Sequence, residues 1–341
     1  MTAFKAGLRR GLWHDPERQS WRGESVRPLS YALFYPAPAD TPETPLLVPP
    51  RNAVFNIGTA ALDAPLASDL KRYPVVLMSH GTGGSALAMG WLGCRLARAG
   101  FIALGIDHHG NTALEPYLPE GFLCWWERAR DLSVALDALA RGQEFEGRID
   151  LSRVYAAGFS LGGYTVVALA GARTDYQQFL HWMRAQPGAP NGPREFPDLG
   201  DHVAKLNRDS AVFRASWERA GGSFADPRIK AVAAYAPAPT VRGFTADSMR
   251  EISLPLAIMC GRADTEAPFV ACSQWLHDHV PGSTLTDLGS NVGHYVFLAE
   301  ATELGEQRER SICVDAPGVS RRAVHDQAAA LALQLFGSTE H

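Results

Sequence analysis

The apolar run Val154-Tyr155-Ala156-Ala157 passes through Gly158-Phe159-Ser160-Leu161-Gly162 into a second apolar stretch that begins at Tyr164. A buried strand that turns at once into a buried helix leaves few conformations for the residues between. Glycine on each side of the serine suits a sharp, strained turn whose neighbours have no room for a Cβ. A glycine-rich connection with an incidental serine has the same letters, as does a phosphate-binding turn. The rest of the chain must therefore supply a base, an acid and oxyanion donors in workable places.

Short apolar runs alternate with longer stretches of helical period, the pattern of an α/β chain with a mostly parallel central sheet flanked by helices. Strands are expected at 75–78, 101–106, 154–157, 229–235, 256–260 and 283–288. Helices are expected at 87–99, 127–140, 162–171, 268–279 and 323–335, and a strand pair around 8–13 and 27–35 precedes them. Two segments break the rhythm. Residues 36–71 are rich in proline and alanine and join the strand pair to the core. Residues 173–226 start with the aromatics Tyr176, Phe179 and Trp182 and continue through a Pro/Gly loop at 186–193. An insertion of that length within a compact domain reads as a binding element. The expected organisation is a core of residues 1–172 and 227–341, with 173–226 a helical lid inserted after the nucleophile helix.

With 341 residues, 46% of them hydrophobic, the chain can bury a large core. Its net charge of -4 gives no global field toward nucleic acid. The first residues lack the apolar centre of a signal peptide, and no apolar run reaches the ~18 residues of a membrane span. The five cysteines are scattered without a CxxC pair, which argues against a disulfide framework or structural zinc. A cytoplasmic protein is the expectation.

Ser79-His80-Gly81-Thr82-Gly83-Gly84 follows the first core strand, where such a sheet places its second oxyanion donor. Its glycines let the backbone aim the Thr82 N–H at a carbonyl, while Leu161 offers an N–H at the start of the following helix. His80 suits the role of loop anchor. Neither glycine cluster has dinucleotide or Walker spacing. Of the eleven histidines, His181, His202, His277 and His279 fall in helical or lid segments and are expected at the surface. His108 and His109 beside Asp107 lack a matching ligand pair, so no metal is called for. His294 sits in a loop after the last strand and can reach the C-terminal edge of the sheet. The acid belongs between Ser160 and His294. The 229–235 strand ends in Ala-Pro-Ala-Pro, and the next ends in Gly261-Arg262-Ala263-Asp264. Asp264 is therefore the acid, with Glu266 in reserve.

Together these elements resemble an α/β-hydrolase. Asp15-Pro16-Glu17-Arg18, Asp63-Ala64-Pro65-Leu66-Ala67, Asp107-His108-His109-Gly110-Asn111-Thr112 and Gly293-His294-Tyr295-Val296-Phe297-Leu298 extend the likeness. They are similar to bacterial predicted dienelactone hydrolases, related to platelet-activating-factor acetylhydrolases and cutinase-like esterases. Dienelactone hydrolases carry a cysteine nucleophile where this chain has Ser160. The acetylhydrolases take their acid after the preceding strand, which here is Ala-Pro-Ala-Pro.

The expected chemistry is acyl transfer from a small ester, amide or lactone to water, through an acyl-enzyme on Ser160 and without a cofactor. Trp125, Trp126, Phe179 and Trp182 are expected to line an apolar pocket, so Trp182→Ala should alter acyl-length preference. An acyltransferase using the same triad, or a non-catalytic binding protein of this fold, are the alternatives.

Overall fold

A strand buried on both faces shows apolar residues at every position, whereas one buried on a single face alternates. Both kinds occur in the computed structural model, which describes residues 4–142, 145–188 and 190–339. The outer ends of the two expected core segments, and Ala189 in the expected 186–193 loop, lie outside the described residues. Eleven strands are found among those residues: β1 (Lys5–Gln19), β2 (Val26–Ala37), β3 (Thr44–Val48), β4 (Phe55–Leu62), β5 (Tyr73–Ser79), β6 (Ile102–Asp107), β7 (Ile149–Phe159), β8 (Ile229–Tyr235), β9 (Leu256–Cys260), β10 (Thr284–Asp287) and β11 (Glu300–Ala301). They form one sheet in the order β10-β9-β8-β7-β5-β6-β2-β1-β4-β11, with β3 on β4. From β10 to β6 every neighbouring pair is parallel. The β1–β2 ribbon then joins antiparallel to β6.

Every residue of β5 and β6 is buried, and successive side chains feed opposite layers. Val75 and Leu77 pack in one core and Val76 and Met78 in the other. Helices Glu127–Arg141 and Leu161–Leu169 cover the first face; Gly90–Arg98 and Arg321–Gly337 cover the second. The chain leaves β5 for β6 on one side and returns to β7 on the other. That reversal opens a crevice at the carboxyl ends of β5 and β7, where ligands of open α/β sheets bind.

Residues 36–71 are not a plain connection, because they contain β3 and β4. Only Leu46 of β3 is buried, so the apolar signal of that strand is weak. The stretch after β9 is also less regular than one helix, with a π turn at Val270–Gln274 leading into Trp275–His279. Residues 173–226 hold helices Tyr176–Arg184, Val203–Asp209 and Ala211–Glu218. The last of these is tied down by Phe213, fully buried, and by the Ser216 hydroxyl, which donates to Glu127 Oε1 over 2.7 Å.

The N-terminal ribbon is clamped to helix Glu127–Arg141 by buried charge. Arg18 reaches Asp15, Glu127 and Asp131 at 2.6, 3.0 and 2.6 Å, and Arg27 reaches Asp131 at 2.8 Å. Burial also holds three histidines neutral: His108 and His325 are pushed down to about 3, and His80 well below its usual range. The unfolded chain protonates these rings below about pH 6.5 while the folded chain does not, so stability is present above that pH and lost as pH falls. Each ring contributes a slope of up to about 1.4 kcal/mol per pH unit. The Asp107 carboxyl, pushed up to about 6, and the raised Glu195 carboxyl act in the opposite sense. The three rings outweigh them, so the urea midpoint is expected to fall between pH 7 and pH 5. A constant or rising midpoint would contradict this reading.

Candidate active site

Ser160 follows β7 with φ 55° and ψ -117°, a conformation that costs a non-glycine residue about 1–3 kcal/mol. Its backbone is held from both sides: the N–H donates to Tyr235 O at 2.9 Å, and its carbonyl accepts from Ala238 N–H at 3.0 Å. The Ala236-Pro237-Ala238-Pro239 stretch, which lacks a carboxylate, thus cradles the serine. Both motif glycines are obligatory. A Cβ on Gly158 would lie 2.1 Å from Gly162 O, and one on Gly162 would lie 1.9 Å from Ser79 O. Gly162→Ala is therefore expected to lower unfolding free energy by about 3 kcal/mol, the upper end for overpacking. Gly337→Ala, with open space around it, should be neutral or slightly stabilising. Urea denaturation of the two variants makes the comparison; equal stability would refute the clash.

The loops after β9 and β10 are stitched together where Gly261 lies against Val292: Arg262 N–H donates to Gly289 O at 3.0 Å and Ala263 N–H to Val292 O at 3.1 Å. This brings Asp264 and His294 side by side. His294 Nδ1 is 2.7 Å from Asp264 Oδ2, and His294 Nε2 is 3.0 Å from Ser160 Oγ. The second carboxylate oxygen, Asp264 Oδ1, accepts from Ala267 N–H at 2.7 Å. Phe159 packs on the imidazole with ring centroids 4.9 Å apart. All three side chains are more than nine-tenths buried, so water screens their interactions little. Glu266 lines the cavity in front of them, and the imidazole takes Asp264.

Leu161 opens the helix after Ser160, so its N–H has no intrahelical acceptor. Thr82 lines the cavity beside Gly81, whose added Cβ would sit 3.2 Å from Ser160 Cβ. The turn is closed by Gly84 N–H donating to Gly81 O at 3.2 Å. His80 lies inside the protein, with Nδ1 2.7 Å from Gly81 O. His108 and His109 face different partners, Asp131 and Glu115, at 3.0 and 2.7 Å.

A cavity of about 1600 Å³ opens in front of Ser160. Trp125 and Phe179 line it, joined by Phe122, Tyr176, Leu180 and Trp217. Trp126 and Trp182 do not, which corrects the expectation for both. Trp126 is fully buried beneath the wall, its indole N–H donating to Ser216 O at 3.0 Å. Trp182 lies under the Arg242 guanidinium, 5.4 Å away. The sequence reading had no means of finding Tyr117, whose hydroxyl donates to Gly83 O at 2.8 Å. It also missed Glu195, whose side chain approaches Gly83.

A mostly parallel sheet with helices on both faces, and a strained serine turn at its switch point, is the α/β-hydrolase fold. A family model described as platelet-activating factor acetylhydrolase, isoform II, matches residues 51–121, which include Thr82 but not Ser160, Asp264 or His294. The cutinase est1 of Thermobifida alba is 35% identical over 105 residues, 30% of this chain and 32% of the relative. The bis(hydroxyethyl) terephthalate hydrolase of Streptomyces coelicolor is 31% identical over 125 residues, 37% of each chain. The match thus spans about a third of the length of these relatives. In structure, the ferulic acid esterase of Streptomyces cinnamoneus aligns over 99% of this chain and 91% of that one, with a TM-score of 0.66 and 18% identity. Among the described residues no helix is long and apolar enough to cross a membrane.

Proposed function

We propose that this protein is a serine hydrolase that cleaves a carboxylic ester of a small apolar substrate through an acyl-enzyme on Ser160. The observation that carries the reading is the continuous Ser160–His294–Asp264 chain at 3.0 and 2.7 Å, opening on an apolar cavity. His294 takes the Ser160 proton as Oγ attacks the carbonyl, and Asp264 orients the ring and stabilises its charged form. The N–H groups of Leu161 and Thr82 hold the oxyanion, each worth about 3–4 kcal/mol in comparable sites. His294 then protonates the departing alkoxide and, in the second half, activates the water that releases the acid. The activities named for the partial relatives, on cutin and on a terephthalate ester, favour an ester over an amide. Residues 173–226 act as the lid, since Tyr176, Phe179, Leu180 and Trp217 supply part of the wall of the cavity that Ser160 also lines.

The test is hydrolysis of p-nitrophenyl esters from acetate to dodecanoate, together with labelling by a fluorophosphonate. Turnover with labelling supports the reading. A folded protein that does neither overturns it, and labelling without turnover of any ester would replace the ester by an amide or lactone. Added alcohol or amine should not divert the product; if it does, the enzyme is a transferase. Within the series, Trp125→Ala is expected to shift the optimum toward longer or bulkier acyl groups, by about 1–3 kcal/mol in relative kcat/KM. Trp182→Ala should leave the profile unchanged, and the opposite pattern would relocate the pocket.

A further inference from the structure

A second serine–histidine–aspartate chain lies beneath the 81–84 turn. Ser79 Oγ is 2.9 Å from His108 Nε2, and His108 Nδ1 is 3.0 Å from Asp131 Oδ2. All three side chains are at most 1% exposed, and none lines the cavity, so this serine meets no substrate. Its contact on the other side is Arg128, from whose Nη2 the Ser79 hydroxyl oxygen accepts at 3.3 Å.

Arg128 is fully buried, and its guanidinium reaches four residues in three segments. Nη2 also donates to the carbonyl of His80, the residue that enters the turn. Nη1 lies 3.4 Å from Asn111 Oδ1, which itself accepts from Gly83 N–H at 2.7 Å. Nε donates over 3.1 Å to Thr165 Oγ1, and that hydroxyl donates over 2.9 Å to the carbonyl of Leu161. One planar group therefore holds the backbone before Thr82 directly, that after it through Asn111, and, through Thr165, the residue that opens the nucleophile helix.

We propose that Arg128 is the positioning residue of the oxyanion site, a brace that fixes the Thr82 and Leu161 N–H groups relative to one another. The inference rests on the proposed function, since those N–H groups are its oxyanion donors. Arginine suits the task because its donors form a rigid fork, whereas a lysine ammonium is a single point charge. The Asp131–His108–Ser79 chain sets the guanidinium from below: His108 donates from Nδ1 to Asp131 and accepts the Ser79 proton at Nε2. That leaves the Ser79 lone pairs to Arg128. Burial lowers the guanidinium to about 9 with Asp131 opposing the shift, so the group still carries its charge at neutral pH.

The experiment compares wild type, Arg128→Lys and Thr165→Val on p-nitrophenyl butyrate, with butaneboronic acid as the tetrahedral-adduct analogue. Displacing an oxyanion donor acts on the transition state and spares the ground state. Arg128→Lys is expected to lose roughly 10–100-fold in kcat with KM within about threefold. Affinity for the boronic acid should fall in parallel, and the pH at which kcat/KM rises should stay fixed. Thr165→Val, isosteric and cutting only the Leu161 arm, should lose about 3–10-fold in the same manner. If Arg128→Lys does not fold, Thr165→Val decides alone. Folded variants with kcat within about twofold of wild type overturn the brace, as does a lowered melting temperature with unchanged kcat. In either case an active, labelled wild type leaves the Ser160 reading standing. A wild type that neither labels nor turns over sinks that reading, and the brace falls with it.

Discussion

Ser160→Ala is expected to lower kcat for p-nitrophenyl esters by about 10⁴–10⁶-fold while leaving KM and the fold nearly unchanged. Only the Oγ is lost. The strained backbone stays held by Tyr235 O and Ala238 N–H, and the lost hydrogen bond to His294 is worth about 1 kcal/mol in stability. The alanine variant still presents the Leu161 and Thr82 donors. A residual rate of about 10³–10⁴ over water should therefore remain, and fluorophosphonate labelling should vanish altogether. The comparison uses enzyme at micromolar concentration, with circular dichroism to show that the variant is folded. A variant that keeps more than about 1% of wild-type kcat would show that attack on the ester does not depend on Ser160. The same residue count in the label would then point to another nucleophile in the cavity.

What made the three residues findable was chain order. Strands buried on both faces, such as β5 and β6, announce themselves as unbroken apolar runs, and the loops after them fall at one edge of the sheet. A serine and an aspartate at two such ends, with a histidine in the loop after the half-exposed β10, can be matched without knowing any distance, and the structure brings these three together. β3 and β4 were missed because Pro45, Pro49 and a half-exposed ladder leave no unbroken run. The aromatic residues failed differently. Trp125 and Trp126 are adjacent, yet one faces the cavity and the other the core, because consecutive side chains entering a helix point about 100° apart. Phe179 and Trp182 are three apart on one helix, yet the first lines the cavity and the second lies against Arg242. Arg128 shows the harder limit. Its partners lie 49, 48, 37 and 17 residues away in sequence, and no local pattern connects them. Its helix reads only as amphipathic, with an arginine on its buried side.

The acid assignment yields the other large effect: Asp264→Asn is expected to lower kcat by about 10⁴-fold with the fold intact. The reason lies in the second oxygen. Asp264 Oδ1 accepts the Ala267 N–H at 2.7 Å while Oδ2 faces His294 Nδ1 at 2.7 Å. An asparagine must keep its carbonyl oxygen toward Ala267, because its amide group has nothing to accept with. The amide N–H₂ then points at His294 Nδ1, which has to accept. The imidazole proton is driven to Nε2, where it faces Ser160 Oγ as a donor, and the serine loses its base. Glu266→Gln, at a residue that lines the same cavity while Nδ1 is taken by Asp264, should change kcat by no more than about threefold, as expected of a neighbouring charge that the ring does not pair. The pair of variants separates the two carboxylates. If Glu266→Gln caused the larger fall, the acid would be Glu266, and the Asp264 hydrogen bond would serve only to hold the two loops together.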